Sequence, residues 1–342
     1  MQKKTPARIA AILILALALS GCNKDESGES TEAGHERSIS VPTTPVQTTE
    51  AEETLSAEQM DLIKYNYYVD LNNDIVDILD SIGYYYDVVD YTEEFSLLPD
   101  TGLTYGYRVY GKNTDIIDDC LQLADMEPDY GELDDLVREM ADPLRDLMDT
   151  FSNISSSHDY ADNQYQKAKD YHAVIYSSAD TFAELGYAYM EAISEMGNLR
   201  IAEEEEAMKE EGRLIIYNAS RAISIGKQVL DVVDDQEISD ETITDLDLTE
   251  IRRLHEELVA VVADFDAATA DNDQLIKESL ANSRPFDGLY NSLIQALEWM
   301  IKQVESGRPL DLSGSGAPLG SIGHFSEVLS KCIERYNSVF VE

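Results

Sequence analysis

His255-Glu256-Glu257-Leu258-Val259 opens like the helix of a zinc hydrolase. In that chemistry two histidines one helical turn apart face a single metal and the Glu between them acts as base. Position 259 is Val, so the second ligand is missing and the segment reads as ordinary helix surface. Asp70-Leu71-Asn72-Asn73-Asp74 starts like a calcium loop, which needs Gly at its sixth position and Glu at its twelfth; Ile75 and Ser81 stand there instead. His324 and Glu327 stand three residues apart, a spacing that suits either metal ligation or a helix start. The acidic loop Asp234 to Asp247 reads either as solvated or as a weak cation holder. There is no GxSxG, no SxxK and no cysteine among activating neighbours. The expectation is a protein that is not an enzyme and that uses no metal and no cofactor.

Tyrosine is the unusual residue, with 20 copies against 7 Phe and 1 Trp. Tyr65, Tyr67, Tyr68 and Tyr84, Tyr85, Tyr86 fall within one helical pattern, where half-buried packing accounts for them. Tyr105, Tyr107, Arg108 and Tyr110 occupy a connection that also holds Gly102, Gly106 and Gly111. Tyr with Arg is the composition of binding hot spots, so these four form the candidate recognition patch; the alternative is an aromatic loop that caps the bundle.

A third chemistry belongs to Cys22. Lys3, Lys4 and Arg8 precede an apolar run from Ile9 to Leu19, a secretory signal too short to span a bilayer. The sequence Leu19-Ser20-Gly21-Cys22 resembles the lipobox of bacterial lipoproteins, which implies cleavage before Cys22 and diacylation of its thiol. Two acyl chains, palmitate among them, anchor stably where one would not. The expected address is the bacterial cell envelope, outside the cytoplasm, with the membrane reached through diacylglyceryl-Cys22. Residues 1–21 are then the signal peptide and residues 22–56, rich in Ser, Thr, Glu, Gly and Pro, an unfolded tether. Cys120 and Cys332 remain; in an oxidising compartment they either pair as a disulfide or stay as two buried thiols.

Charge narrows the partners. The chain has 25 Lys and Arg against 68 Asp and Glu, a net charge of −43. Such a surface repels nucleic acid and anionic lipid, so no nucleic-acid partner is expected. Hydrophobic residues make up 43% of the chain, enough to build a core over 57–342.

The elements that must carry these residues read as helices. Leu62, Tyr65, Val69, Asn72, Val76 and Leu79 form one apolar seam and Tyr68, Leu71, Ile75, Ile78, Ile82, Tyr85 and Val89 a second beside it. Ser56 is the expected N-cap, with Asp61, Lys64, Asp70, Asp74 and Asp77 on the polar face. No proline interrupts the 141 residues between Pro143 and Pro285. Helices are expected over Asn113–Asp125, from Pro143 to Phe151, over Tyr165–Met196 and Leu214–Val233, over Leu248–Ala270, from Pro285 to Val304 and over Ile322–Phe340. The run Glu203 to Glu206 reads as a solvated face or a connection. Leu103 to Tyr110 is a short strand or an ordered loop. The fold class is all-α, an elongated antiparallel bundle of long helices after the tether.

The segment Lys64-Tyr65-Asn66-Tyr67-Tyr68-Val69-Asp70-Leu71-Asn72-Asn73 is similar to the start of the YiiG-like bacterial lipoprotein family. Tyr290-Asn291-Ser292-Leu293-Ile294 and Tyr336-Asn337 share that family's texture. The resemblance implies a helical lipoprotein domain of unknown function and brings no catalytic residues. His324-Phe325-Ser326-Glu327 resembles part of the GxHxxE pattern of imelysin-like extracytoplasmic proteins, with Ile322 where the Gly stands. The function expected is a non-enzymatic binding or scaffold module for a protein or other cell-envelope partner. The alternative is a ligand- or cation-binding sensory module with its site between helices.

Overall fold

The computed structural model describes residues 55–99, 101, 108–157, 159–280, 285–286 and 288–340. Cys22, the signal peptide, nearly all of the tether, Tyr105 and Tyr107 lie outside the described residues.

Ser56 starts the first helix as its type predicts. Its hydroxyl accepts from Gln59 N at 3.1 Å while the Gln59 side chain accepts from Ser56 N at 2.9 Å, a reciprocal cap that satisfies two backbone donors. Helix α1 (Ala57–Tyr86) then buries both expected seams, Tyr65, Val69, Asn72 and Leu79 on one and Tyr68, Leu71, Ile75, Ile78 and Tyr85 on the other. Lys64, expected on the polar face, is 0% exposed. The chain continues through α2 (Asp115–Ala124), α3 (Glu132–Ser157), α4 (Asp162–Glu210), α5 (Leu214–Asp235), α6 (Leu248–Ala270), α7 (Asn272–Lys277), α8 (Leu289–Ser306) and α9 (Ile322–Phe340). Among the described residues the one extended pairing is an antiparallel bridge between Val89 and Leu97. Among them, too, no helix is long and apolar enough to cross a membrane.

Three helix starts differ from the sequence reading. Pro143 lies inside α3, not at its first turn. The buried stripe Leu136, Val137, Met140 continues unbroken into Leu144, Leu147 and Phe151, and its packing outweighs the one backbone bond that Pro removes. Pro285 sits buried in a turn, and α8 begins only after Gly288, which adopts a left-handed conformation (φ +80°). The first residues of α4 contain three successive left-handed residues, Asn163, Gln164 and Tyr165, before regular helix begins.

The regular part of α4, from Gln166 to Glu210, organises everything else, since it reaches about 70 Å. Ala168, Ile175, Phe182, Tyr189 and Ile193 belong to a first core with α1, α2 and α3. Ile201 and Met208 belong to a second core with α5, α6, α8 and α9. The region 57–342, read from sequence as one bundle, therefore holds two hydrophobic cores threaded on a shared helix. The stretch between them holds Gly197, above which the Tyr65 hydroxyl packs, then Arg200, then Glu204. Burial and the charge of Glu204 both raise the hydroxyls of Tyr65 of α1 and Tyr336 of α9. Glu204 is half-buried, and its neighbour Glu205 is buried, accepting from Ser220 at 3.1 Å and Ser224 at 2.7 Å on α5. The acidic run is thus half structural, with Glu203 and Glu206 exposed.

Short α7, which the sequence did not reveal, clamps the turn from α4 to α5. Lys277 donates to the carbonyls of Glu211 (2.6 Å) and Gly212 (2.9 Å) at the α4 end, where the helix dipole is negative. Glu278 accepts from Ile215 N (2.8 Å) and Ile216 N (2.9 Å) at the α5 start, which has no cap of its own. Replacing Glu278 by Ala is expected to lower the second core's unfolding free energy by about 1–2 kcal/mol. Urea unfolding followed by the fluorescence of Trp299, the chain's single Trp and part of α8, reads this directly; an unchanged midpoint would show the clamp to be idle.

Burial lifts the Glu204 carboxyl to about 7 against the opposing pull of Arg200 one turn earlier. The folded state therefore holds a proton that the unfolded chain releases near the ordinary value of 4.5. The stabilisation is complete below that value and is lost as pH rises toward 7. Glu204→Gln should flatten the fall in melting temperature between pH 5 and 7.5 by about one or two degrees, the carboxyl being partly in water. Identical slopes in the two proteins would rule the coupling out.

Candidate functional site

The polar chemistry inside the first core centres on Lys64. Its ammonium donates to Asp134 Oδ2 (2.8 Å), Pro128 O (2.8 Å) and Met126 O (3.0 Å), so all three protons are used. Asp134 also accepts from the Tyr130 backbone N–H at 2.8 Å and from the Tyr68 hydroxyl. The Tyr130 ring lies 4.7 Å from the Lys64 nitrogen, and Tyr189 of α4 donates to Tyr68 O at 2.8 Å. Beside this network Arg200 donates to Asp61 (2.7 Å) and to the Tyr130 hydroxyl (2.9 Å) and stacks 4.4 Å over Tyr65. Each of these charged groups has a partner, so the arrangement holds α1, α3 and α4 together. Asn72 differs: it is fully buried with neither amide atom hydrogen-bonded.

Surface chemistry gathers instead around the end of α1, on two sides. On one side Arg108 stacks over Tyr84 at 4.3 Å and pairs with Asp87 at 3.3 Å, while Tyr110 lies 6.5 Å from Tyr84 and is 41% exposed. The connection that carries them is pinned: Tyr110 N donates to Ser81 Oγ (2.9 Å), Lys112 N to Ser152 Oγ (3.0 Å), and the Lys112 ammonium reaches Asp74 (2.7 Å) and Asp77 (2.5 Å). Two of the four residues of the expected recognition patch, Arg108 and Tyr110, are thus brought to α1.

On the other side a tight loop closed by the Val89–Leu97 bridge lies against α4. His172, 1% exposed, meets Thr92 O at 2.7 Å through Nε2 and the Tyr85 hydroxyl at 2.8 Å through Nδ1. With Nε2 donating to the carbonyl, Nδ1 accepts from Tyr85 and the neutral ring satisfies both partners. Tyr91 packs edge-on to Tyr86 (4.9 Å between centroids) and near Tyr176 (5.8 Å), and its hydroxyl donates to Asp180 at 2.5 Å. That bond, with some burial, pushes the Tyr91 hydroxyl up to about 12. The ring is nonetheless 51% exposed. Further along α4, Tyr187 is 46% exposed, its hydroxyl raised by partial burial and by Asp80. Periodicity places Tyr187 within the expected helix Tyr165–Met196 and so hides it among packing residues, while Tyr91 falls outside every expected helix; the neighbouring run Tyr84-Tyr85-Tyr86 is the sequence signal for the location.

The remaining motifs go elsewhere. His255 Nε2 stands 3.8 Å from Glu298 on α8, and Val259 is exposed. His324 packs at a tilt against Trp299 (5.6 Å between centroids) while Glu327 is exposed. Asp70 to Asp74 is helical, and the 234–247 loop uses Asp240 to accept from Ile322 N (2.7 Å) and Asp247 to cap α6. Among the described residues no three His, Cys, Asp or Glu side chains converge on a metal position. The pairing of Cys120 with Cys332 is not made. Both are free and buried, Cys120 in the first core and Cys332 in the second, and burial pushes both thiols upward. Burial also pushes Lys227 down to about 8, with only Asp231 one turn on to oppose it.

Lys64→Met should be the most damaging single change in the first core, since it strands Asp134 and two carbonyls. About 3–5 kcal/mol is expected. Circular dichroism should show early loss of part of the helix signal while Trp299 fluorescence keeps its wild-type transition. Asp134→Leu added to it should recover part of the loss; no recovery would mean that the buried charge is not the cause.

A family model described as a protein of unknown function (DUF3829) matches residues 59–306. No curated protein and no solved structure matches the chain.

Proposed function

The chain belongs to the DUF3829 family, and from that premise we propose that it is a non-enzymatic binding module held to a bacterial envelope membrane through lipidated Cys22, engaging a partner protein with the tyrosine-rich end of α1. The observation that carries this reading is the exposure of aromatic rings that their own surroundings hold rigid. Tyr91 is 51% exposed yet fixed by Tyr86, Tyr176 and Asp180; Tyr110 is 41% exposed on a connection anchored by Ser81 and Ser152. Large rings ordered before contact lose little entropy on binding, which is what makes Tyr effective at interfaces.

The similarity of Lys64 to Asn73 to the YiiG-like lipoproteins supports the address, as do the signal-like N-terminus and Leu19-Ser20-Gly21-Cys22. The converging polar groups of the first core are consumed in structural bonds, which favours binding over catalysis. In-cell crosslinking should enrich one partner with wild-type protein, and lose it with Cys22→Ser and with the Tyr91→Ser, Tyr110→Ser double variant. Cys22→Ser should also release the protein from carbonate-washed membranes. Retention of the partner by the double variant would remove this surface from the proposal, and membrane retention of Cys22→Ser would remove the anchor.

A further inference from the structure

We infer that the segment bound at this end is basic, a Lys- or Arg-rich stretch of the partner protein lying along the edge between α1 and α4. The inference rests on the binding reading above and names the partner's chemistry. Two half-exposed rings, Tyr91 and Tyr187, lie on this edge; the Tyr91 hydroxyl donates to Asp180, and the charge of Asp80 acts on the hydroxyl of Tyr187. Glu93 and Glu94 are exposed on the loop that carries Tyr91.

Among the described residues no Lys or Arg forms an ion pair with Asp80, Asp180, Glu93 or Glu94. The chain has no Lys or Arg from Tyr65 to Tyr107, nor from Asp170 to Leu199, which covers α1 beyond Lys64 and the middle of α4. The bases that flank this edge are engaged elsewhere, Lys112 between Asp74 and Asp77, Arg108 on Asp87 and Tyr84, and Lys167 of α4 on Asp159, while Lys169 marks the α4 limit of the base-free stretch. The Tyr86 hydroxyl, next to Tyr91, Tyr176 and Asp180, is buried without a hydrogen-bond partner. Exposed aromatic faces attract Lys and Arg heads by their ring quadrupole and take the apolar stems of those side chains. Carboxylates between the rings supply the complementary charge and speed the encounter. An acidic or anionic-lipid partner would meet repulsion along the whole edge.

The test uses the full chain purified in mild detergent and a fluorescent peptide of about 12 residues, Lys and Arg alternating with Ser, at about 0.15 M salt. Its Glu counterpart is the control peptide. The basic peptide should bind and the acidic one should not. Tyr91→Ser with Tyr187→Ser, and separately Glu93→Gln, Glu94→Gln and Asp180→Asn together, should each weaken binding by about tenfold. Asp234→Asn with Asp235→Asn, exposed carboxylates of the second core's region, should change it less than about twofold. Equal losses from the Asp234 and Asp235 pair would overturn the inference, because bulk acidity would then explain the binding; so would failure of the basic peptide to bind. A photocrosslinker at position 91 separates the two claims. Crosslinks to a basic segment of the partner support both, crosslinks to a neutral or acidic segment overturn the inference but keep the binding reading, and absence of crosslinks at positions 91 and 110 overturns both.

Discussion

An ammonium group with 0% exposure sets the geometry of the first core. Lys64 is tolerated there because three acceptors from two different segments meet its three protons, Asp134 of α3 and the carbonyls of Met126 and Pro128. Hydrogen bonds are directional where apolar packing is not, so this contact fixes the rotation of α1 against α3 and the path of the segment between α2 and α3. Tyr68, Tyr130 and Tyr189 extend the constraint to α4. The alignment of α1 on α4 follows along its length: Tyr65 sits over Gly197, Ile75 against Gly186 and Tyr85 opposite His172. A Cβ at Gly186 would come within 3.2 Å of Ile75, which is why a small residue stands where the helices approach.

The surface site is the far end of that same alignment. Once Tyr85 meets His172, the other ring nitrogen can hold Thr92 O, and the loop that carries Tyr91 is laid on α4. The exposed rings are therefore positioned by a buried polar contact and not by loop composition. Charges are sorted in the same way. Lys64, Arg200, Lys112 and Arg108 all fold back onto carboxylates or rings near α1, leaving the α1–α4 edge acidic and aromatic.

The second core shares only α4 with the first, and two devices govern the joint. The clamp of Lys277 and Glu278 closes the turn by placing opposite charges on opposite helix termini, each with the sign the dipole favours. The charge of Glu204 acts on Tyr65 of one core and Tyr336 of the other, so the state of one carboxyl is felt in both. Hydrophobic packing supplies the bulk of each core, while the relation between the cores is carried by a few polar atoms.

Sequence alone determined the helical class, the Ser56 cap, the two seams of α1 and the bounds of α6 and α9, because periodicity and capping are local properties of the chain. It also located the aromatic concentration at the end of α1. It misplaced Lys64, Glu205 and Pro143, each of which looks polar or helix-breaking by type and is made tolerable only by partners 70, 15 or 19 residues away and by packing across helices. It left open the pairing of Cys120 with Cys332, since nothing in their spacing says that they enter different cores. It could not show α7, whose six residues are too few for a period to appear, nor which tyrosines face water. Those outcomes belong to the tertiary structure for one physical reason: burial of a polar group is decided by whether distant acceptors converge on it, and the chain's local pattern carries no record of where they will be.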